Sequence, residues 1–81
     1  MRIIGEIPHP QLKITLFNWN GKYLLKLEAG PYEQTFKINE TEIASEEVLR
    51  QLVDETFIVA AIAQFKAMHG AWDEALNRSK G

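Results

Sequence analysis

Apolar and polar residues alternate with a period of two through the first half of the chain, and turn residues divide the alternation. Asn20-Gly21 lies between two such runs and favours a two-residue type I′ hairpin, because both central residues of that turn need a positive φ. The turn fixes the register, with Trp19 opposite Lys22. One face of the hairpin then collects six apolar residues, which are Leu12, Ile14, Leu16, Tyr23, Leu25 and Leu27.

Two further strands are predicted beside this hairpin. Gly30-Pro31 indicates a second tight turn, and a strand near residues 32–39 follows it. A short first strand is predicted over residues 2–7, although Gly5 weakens it and Pro8 ends it. The first 39 residues therefore predict an antiparallel meander.

From about residue 40 the apolar residues take helical spacing. Ser45 followed by two glutamates predicts a helix start, since the hydroxyl accepts from free backbone amides and carboxylates complement the helix dipole. One helix over 46–78 would be about 50 Å long, against about 30 Å for a domain of this length. The helical region must therefore break or project into a partner. The break is expected either at Asp54–Thr56, where Asp54 could cap a second helix, or at Gly70.

Strands followed by helices, without βαβ alternation, predict an α+β fold. We expect an antiparallel β-meander of three to four strands, followed by one broken or two consecutive C-terminal helices packed on one sheet face. Residues 1–81 are expected to form a single domain, with the meander over 1–39 and the helical region over 45–78. A chain of this size buries about 63% of its surface, which is enough for one core.

Composition and charge remove several classes of protein. The 81 residues carry a net charge of −2 and no cysteine, which excludes disulfides and thiolate metal sites. No apolar run approaches the 18 residues of a membrane span, and no apolar segment of a secretory signal precedes Glu6. We therefore expect a cytoplasmic protein without membrane contact.

No arrangement of side chains predicts catalysis. His69 and Asp73 are spaced i, i+4 and could hold a metal. The more common interpretation is a structural one, in which His69 lies at an interface near a helix end. Arg50 and Asp54, at the same spacing, predict a surface ion pair. Four carboxylates gather around the predicted helix start, namely Glu40, Glu42, Glu46 and Glu47. We expect no enzyme, no cofactor and no metal.

The informative feature is the opposite face of the predicted sheet. A single-layer sheet carries polar residues on its solvent side, yet the hairpin register places Phe17 opposite Leu24 there, with Trp19 beside them. Four lysines surround this apolar patch, which are Lys13, Lys22, Lys26 and Lys37. The patch therefore indicates that this face of the sheet packs against something, and is not simply a solvent-exposed surface.

Three hypotheses account for the patch. The helical region over 57–78 could fold back and cover it. A protein–protein interface, most simply a symmetric dimer, is favoured because apolar patches with polar rims and aromatic anchors mark such surfaces. Single-stranded nucleic acid could stack on Phe17 and Trp19 and contact the surrounding lysines, but the net charge and the acidic Glu28 and Glu33 on this face argue against nucleic acid as the partner.

The apolar segment over residues 57–63 favours association as well. A helix that is apolar on all sides is buried on all sides, and one small sheet covers only one of them. We therefore expect a non-enzymatic self-associating or protein-binding module. Its partner is predicted to be a second copy, forming a homodimer, or another protein.

Overall fold

The computed structural model describes residues 1–80, which form a four-stranded antiparallel sheet followed by helices. The strands are β1 (Arg2–Ile7), β2 (Lys13–Trp19), β3 (Lys22–Ala29) and β4 (Tyr32–Asn39), in the spatial order β1-β2-β3-β4. A 3₁₀ turn over Glu40–Glu42 precedes α1 (Glu46–Leu52) and α2 (Glu55–Lys80). The predicted α+β meander with consecutive C-terminal helices is confirmed.

The first hairpin has the predicted register. Asn20 and Gly21 both have positive φ, at 54° and 77°, as a type I′ turn requires. Trp19 pairs with Lys22 across the hairpin. The β3–β4 turn also has two residues, so that Leu25 pairs with Phe36 and continues the apolar face.

Strand β1 contains a register shift that the sequence did not indicate. Ile3 pairs with Phe17, whereas Gly5 pairs with Leu16, so Ile4 is an extra residue in β1. Such a bulge changes the alternation of faces along a strand. Ile4 consequently packs against the core, while Ile3 shares the face of Phe17.

The helices begin at capping residues. Ser45 Oγ accepts from the Val48 amide at 3.2 Å, and Asp54 Oδ1 accepts from the Phe57 amide at 2.9 Å. Each side chain satisfies an amide that has no partner within its own helix. The helical region therefore breaks at Asp54, while α2 continues without interruption through Gly70.

The predicted ion pair between Arg50 and Asp54 is wrong. Arg50 Nη2 lies 3.1 Å from Glu46 Oε1, and Asp54 caps α2. The guanidinium also donates to the Ile4 carbonyl oxygen in β1 at 3.3 Å. The side chain turns toward the sheet because backbone acceptors are available there, which i, i+4 spacing cannot reveal.

The core lies between the sheet and the helices. Its buried members are Leu12, Ile14, Leu16, Leu25, Leu27, Leu49, Val53, Ile58, Ala61 and Phe65. Helix α2 runs along β4, because Phe57 packs edge-on against Phe36 and the Gln34 amide donates to the Ala61 carbonyl at 2.9 Å. Within residues 1–80, no helix combines the length and apolar character needed to cross a membrane.

Candidate protein-binding face of the sheet

The sheet face turned away from the helices is called the open face here. The core residues of α1 and α2 all pack against the other face of the sheet. The open face carries Ile3, Thr15, Phe17, Trp19 and Leu24 together with Lys13, Lys22, Lys26 and Lys37. Within the described residues 1–80, no part of the helical region lies over Phe17 and Trp19, so the hypothesis of intramolecular cover is wrong.

A depression of about 270 Å³ lies at the centre of the open face. It is lined by Met1, Phe17, Trp19, Leu24, Lys26, Glu33, Thr35 and Lys37. The structure therefore brings together the three predicted apolar residues and two of the four predicted lysines. Lys22 pairs with Trp19 at the end of the hairpin, and Lys13 pairs with Glu28 at the other end of the sheet.

The apolar residues of the open face differ in exposure. Leu24 is only 5% exposed, because it lies between Phe17 on β2 and Lys37 on β4. Trp19 is 48% exposed and Phe17 is half-buried. Leu24 is thus the floor of the depression, while Trp19 is the most accessible of these three side chains.

Two residues of this surface were missed by sequence reasoning. Ile3 pairs with Phe17 and is 64% exposed, and Met1 lines the depression. Simple alternation from Gly5 would place Ile3 on the core face. The bulge at Ile4 instead places Ile3 on the open face. The spacing of Ile3 from the β1–β2 turn could not have identified its face.

The charges around the depression partly cancel. Lys26 Nζ lies 3.2 Å from a Glu33 carboxylate oxygen and 3.4 Å from one of Glu28. The hydrogen bond to Glu33, with the negative charges of Glu28 and Glu33, raises the pKa of Lys26 above its ordinary value. Lys26 is therefore an internally paired cation and offers less charge to a ligand than the sequence suggests.

The other candidate residues have structural partners. His69 Nδ1 lies 3.0 Å from the Tyr32 hydroxyl, and the two rings meet edge-on. Glu40 and Glu42 accept from the side-chain amides of Asn18 and Asn39. Among residues 1–80, no three His, Cys, Asp or Glu side chains converge as metal ligands would.

Comparison of the chain with protein-family models, curated proteins and solved structures finds no match. The function is therefore inferred from the geometry and chemistry of the open face alone.

Proposed function

We propose that this protein is a non-enzymatic module that associates with itself or with another protein through the open face. The observation that carries the proposal is Trp19, a tryptophan that is nearly half exposed on the sheet face opposite the helices. Phe17, Ile3 and Met1 extend the apolar surface around it. Exposed apolar patches with polar rims mark interaction surfaces, and tryptophan is a frequent energetic anchor of interfaces.

The charges of the open face support a protein partner over nucleic acid. Binding to single strands relies on a positive groove that follows the phosphates. Lys26 is paired with Glu28 and Glu33, and the pairing of Glu6 with Thr15 places a third carboxylate on the same face. The mixed charges suit the polar rim of a protein interface better than a phosphate track.

A single-tryptophan variant tests this proposal directly. In Trp72→Phe, Trp19 is the only fluorophore of its kind, and self-association through the open face should shift its emission to shorter wavelength as concentration rises. Trp19→Glu should remove any association that uses the open face, seen as a lower mass in sedimentation equilibrium, while leaving the fold intact. Gln51→Glu adds the same charge at an exposed position of α1 and is the matched control.

Two outcomes would redirect the proposal. If Trp19 emission is independent of protein concentration up to high micromolar, the chain does not associate with itself through the open face, and the partner must be a different protein. If a single-stranded oligonucleotide binds at low salt, and its affinity falls by about 0.7 log units per log unit of salt for each phosphate contacted, the open face is a nucleic-acid surface. Trp19→Ala should then weaken that binding by roughly 1–3 kcal/mol.

A further inference from the structure

Helix α2 extends beyond the sheet against which it packs. The sheet supports it as far as His69, which contacts Tyr32 at the start of β4. Residues 70–80, called the overhang here, are exposed except for the half-buried Ala75. The overhang is about 16 Å long at 1.5 Å per residue, in a molecule whose principal extents are 50 × 26 × 19 Å.

The overhang continues the apolar stripe that α2 buries against the sheet. Ile58, Ala61 and Phe65 are the buried residues of α2, and steps of three or four residues from Phe65 lead to Met68, Trp72 and Leu76. Trp72 is 56% exposed and Leu76 is 39% exposed. Trp72 and Leu76 thus lie on the side of α2 that faces the sheet, but they lie beyond the end of the sheet and remain exposed.

The end of the sheet and the overhang together form a step. At its inner corner is a cavity of about 350 Å³, lined by Gln11, Leu12, Ala29, Tyr32, Ile62, Phe65, Lys66 and His69. The overhang continues a helix that the sheet already supports, so it needs no partner to form, but Trp72 and Leu76 leave apolar surface in water that packing would bury. A helix packed beside the overhang would bury this apolar surface and approach the cavity at the corner.

The charges of the overhang indicate which helix fits. Asp73 and Glu74 lie in its first half, whereas Arg78 and Lys80 lie at its end. Asp73 and Lys80 flank the stripe of Trp72 and Leu76, whereas Glu74 and Arg78 lie on the opposite side of the helix. In an antiparallel pair of two such helices, Asp73 of each lies beside Lys80 of the other. A parallel pair would place like charges together, which is unfavourable.

We infer that a second copy of this chain occupies the step, with the two overhangs packed antiparallel about a two-fold axis near Ala75 and Leu76. Such an interface is isologous, so each overhang fills the step of the other. Leu76 of each copy then packs at the axis, and Trp72 covers the last turn of the neighbouring helix. This inference goes beyond the proposed function, because it assigns to α2 a dimer contact that is separate from the open face.

Sedimentation equilibrium on the full chain tests the inference. Leu76→Glu should raise the dimer dissociation constant by roughly tenfold or more, because an unpaired charge at the axis must be desolvated. Far-UV circular dichroism and the urea midpoint should show that the sheet remains folded, since Leu76 lies beyond it. Trp19→Glu should leave this dimer intact, so failure of the overhang interface and failure of the open-face proposal are distinguishable.

Cysteine crosslinking tests the antiparallel arrangement in a chain that contains no cysteine of its own. Ala75→Cys lies near the axis and should oxidise to a covalent dimer. Ser79→Cys should not, because residue 79 lies on the same side of the helix as Leu76 but its two copies would be about 10 Å apart along the helices, beyond the reach of a disulfide. A chain that is monomeric at high micromolar concentration, a dimer that Trp19→Glu dissociates and Leu76→Glu does not, or equal crosslinking at both positions would overturn the inference.

Discussion

The guanidinium of Arg50 lies directly against the backbone of Gly5, where a Cβ atom would overlap Arg50 Nη2. From this position Nη2 donates to the Ile4 carbonyl oxygen at 3.3 Å, and Nη1 donates to that of Glu6 at 3.4 Å. Glu46, one turn earlier in α1, holds the guanidinium from the other side. One side chain thus joins α1 to the bulge of β1. The space for its guanidinium exists because residue 5 is glycine and has no Cβ atom.

Gly5→Ala should lower the free energy of unfolding by about 1 kcal/mol. The added methyl displaces the flexible end of Arg50, so the loss is that of its hydrogen bonds to β1, each worth about 1 kcal/mol net at most in this half-exposed setting. Arg50→Ala should cost a similar amount. In the Arg50→Ala background, Gly5→Ala should be neutral or slightly stabilising, because alanine loses less backbone entropy in a strand than glycine. Urea denaturation of the four chains measures this, and additive losses would disprove the coupling.

Gly21→Val should destabilise the protein by more than about 1 kcal/mol, because a β-branched residue is strained at the φ of 77° that the turn requires. The denaturant midpoint measures this loss. Gly70→Ala is the matched control: the site lies inside α2 with open space around it, and alanine should stabilise the helix by about 0.5–1 kcal/mol. If Gly21→Val is as stable as the parent, the turn does not fix the register of the hairpin.

Leu24 and Trp19 should respond differently to truncation, although both lie on the open face. Leu24→Ala should cost about 2 kcal/mol, because the side chain is 5% exposed and its removal leaves a cavity beneath its neighbours. Trp19→Ala should cost less than about 1 kcal/mol, in line with substitutions at partly exposed positions. Chemical denaturation at a concentration where the chain is monomeric distinguishes the two. Equal losses would mean that Trp19 belongs to the structural core of the monomer.

Lys26 should titrate at a higher pH in the parent than in Glu33→Gln, because its hydrogen bond to Glu33 is the largest cause of its raised pKa. Carbon NMR of the Lys26 ε-methylene measures the pKa. Glu28→Gln should lower it as well, by removing a second negative charge. The pairing stabilises the fold below the ordinary lysine pKa of about 10.4 and ceases to do so as the pH rises through the raised pKa. An unchanged titration in Glu33→Gln would show that the ion pair is not formed in solution.

The features determined by the sequence itself are those that depend on neighbouring residues. Asn20-Gly21 can form only a few turns, and the turn fixes which residues of β2 and β3 share a face. Ser45 and Asp54 each supply an oxygen to an amide three residues ahead. These interactions are local, so the pattern of residue types is enough to predict them.

The tertiary structure decided everything that depends on partners distant in the chain. The face of Ile3 follows from a bulge, the burial of Leu24 from side chains on two other strands, and the position of Arg50 from carbonyl groups 44 and 46 residues away. Gly70 does not interrupt α2, since a helix tolerates one glycine at a cost of only about 1 kcal/mol. The pattern of apolar residues predicts the helical period of α2, but not where the sheet that packs against it ends. Only the tertiary structure therefore shows that α2 extends beyond the sheet.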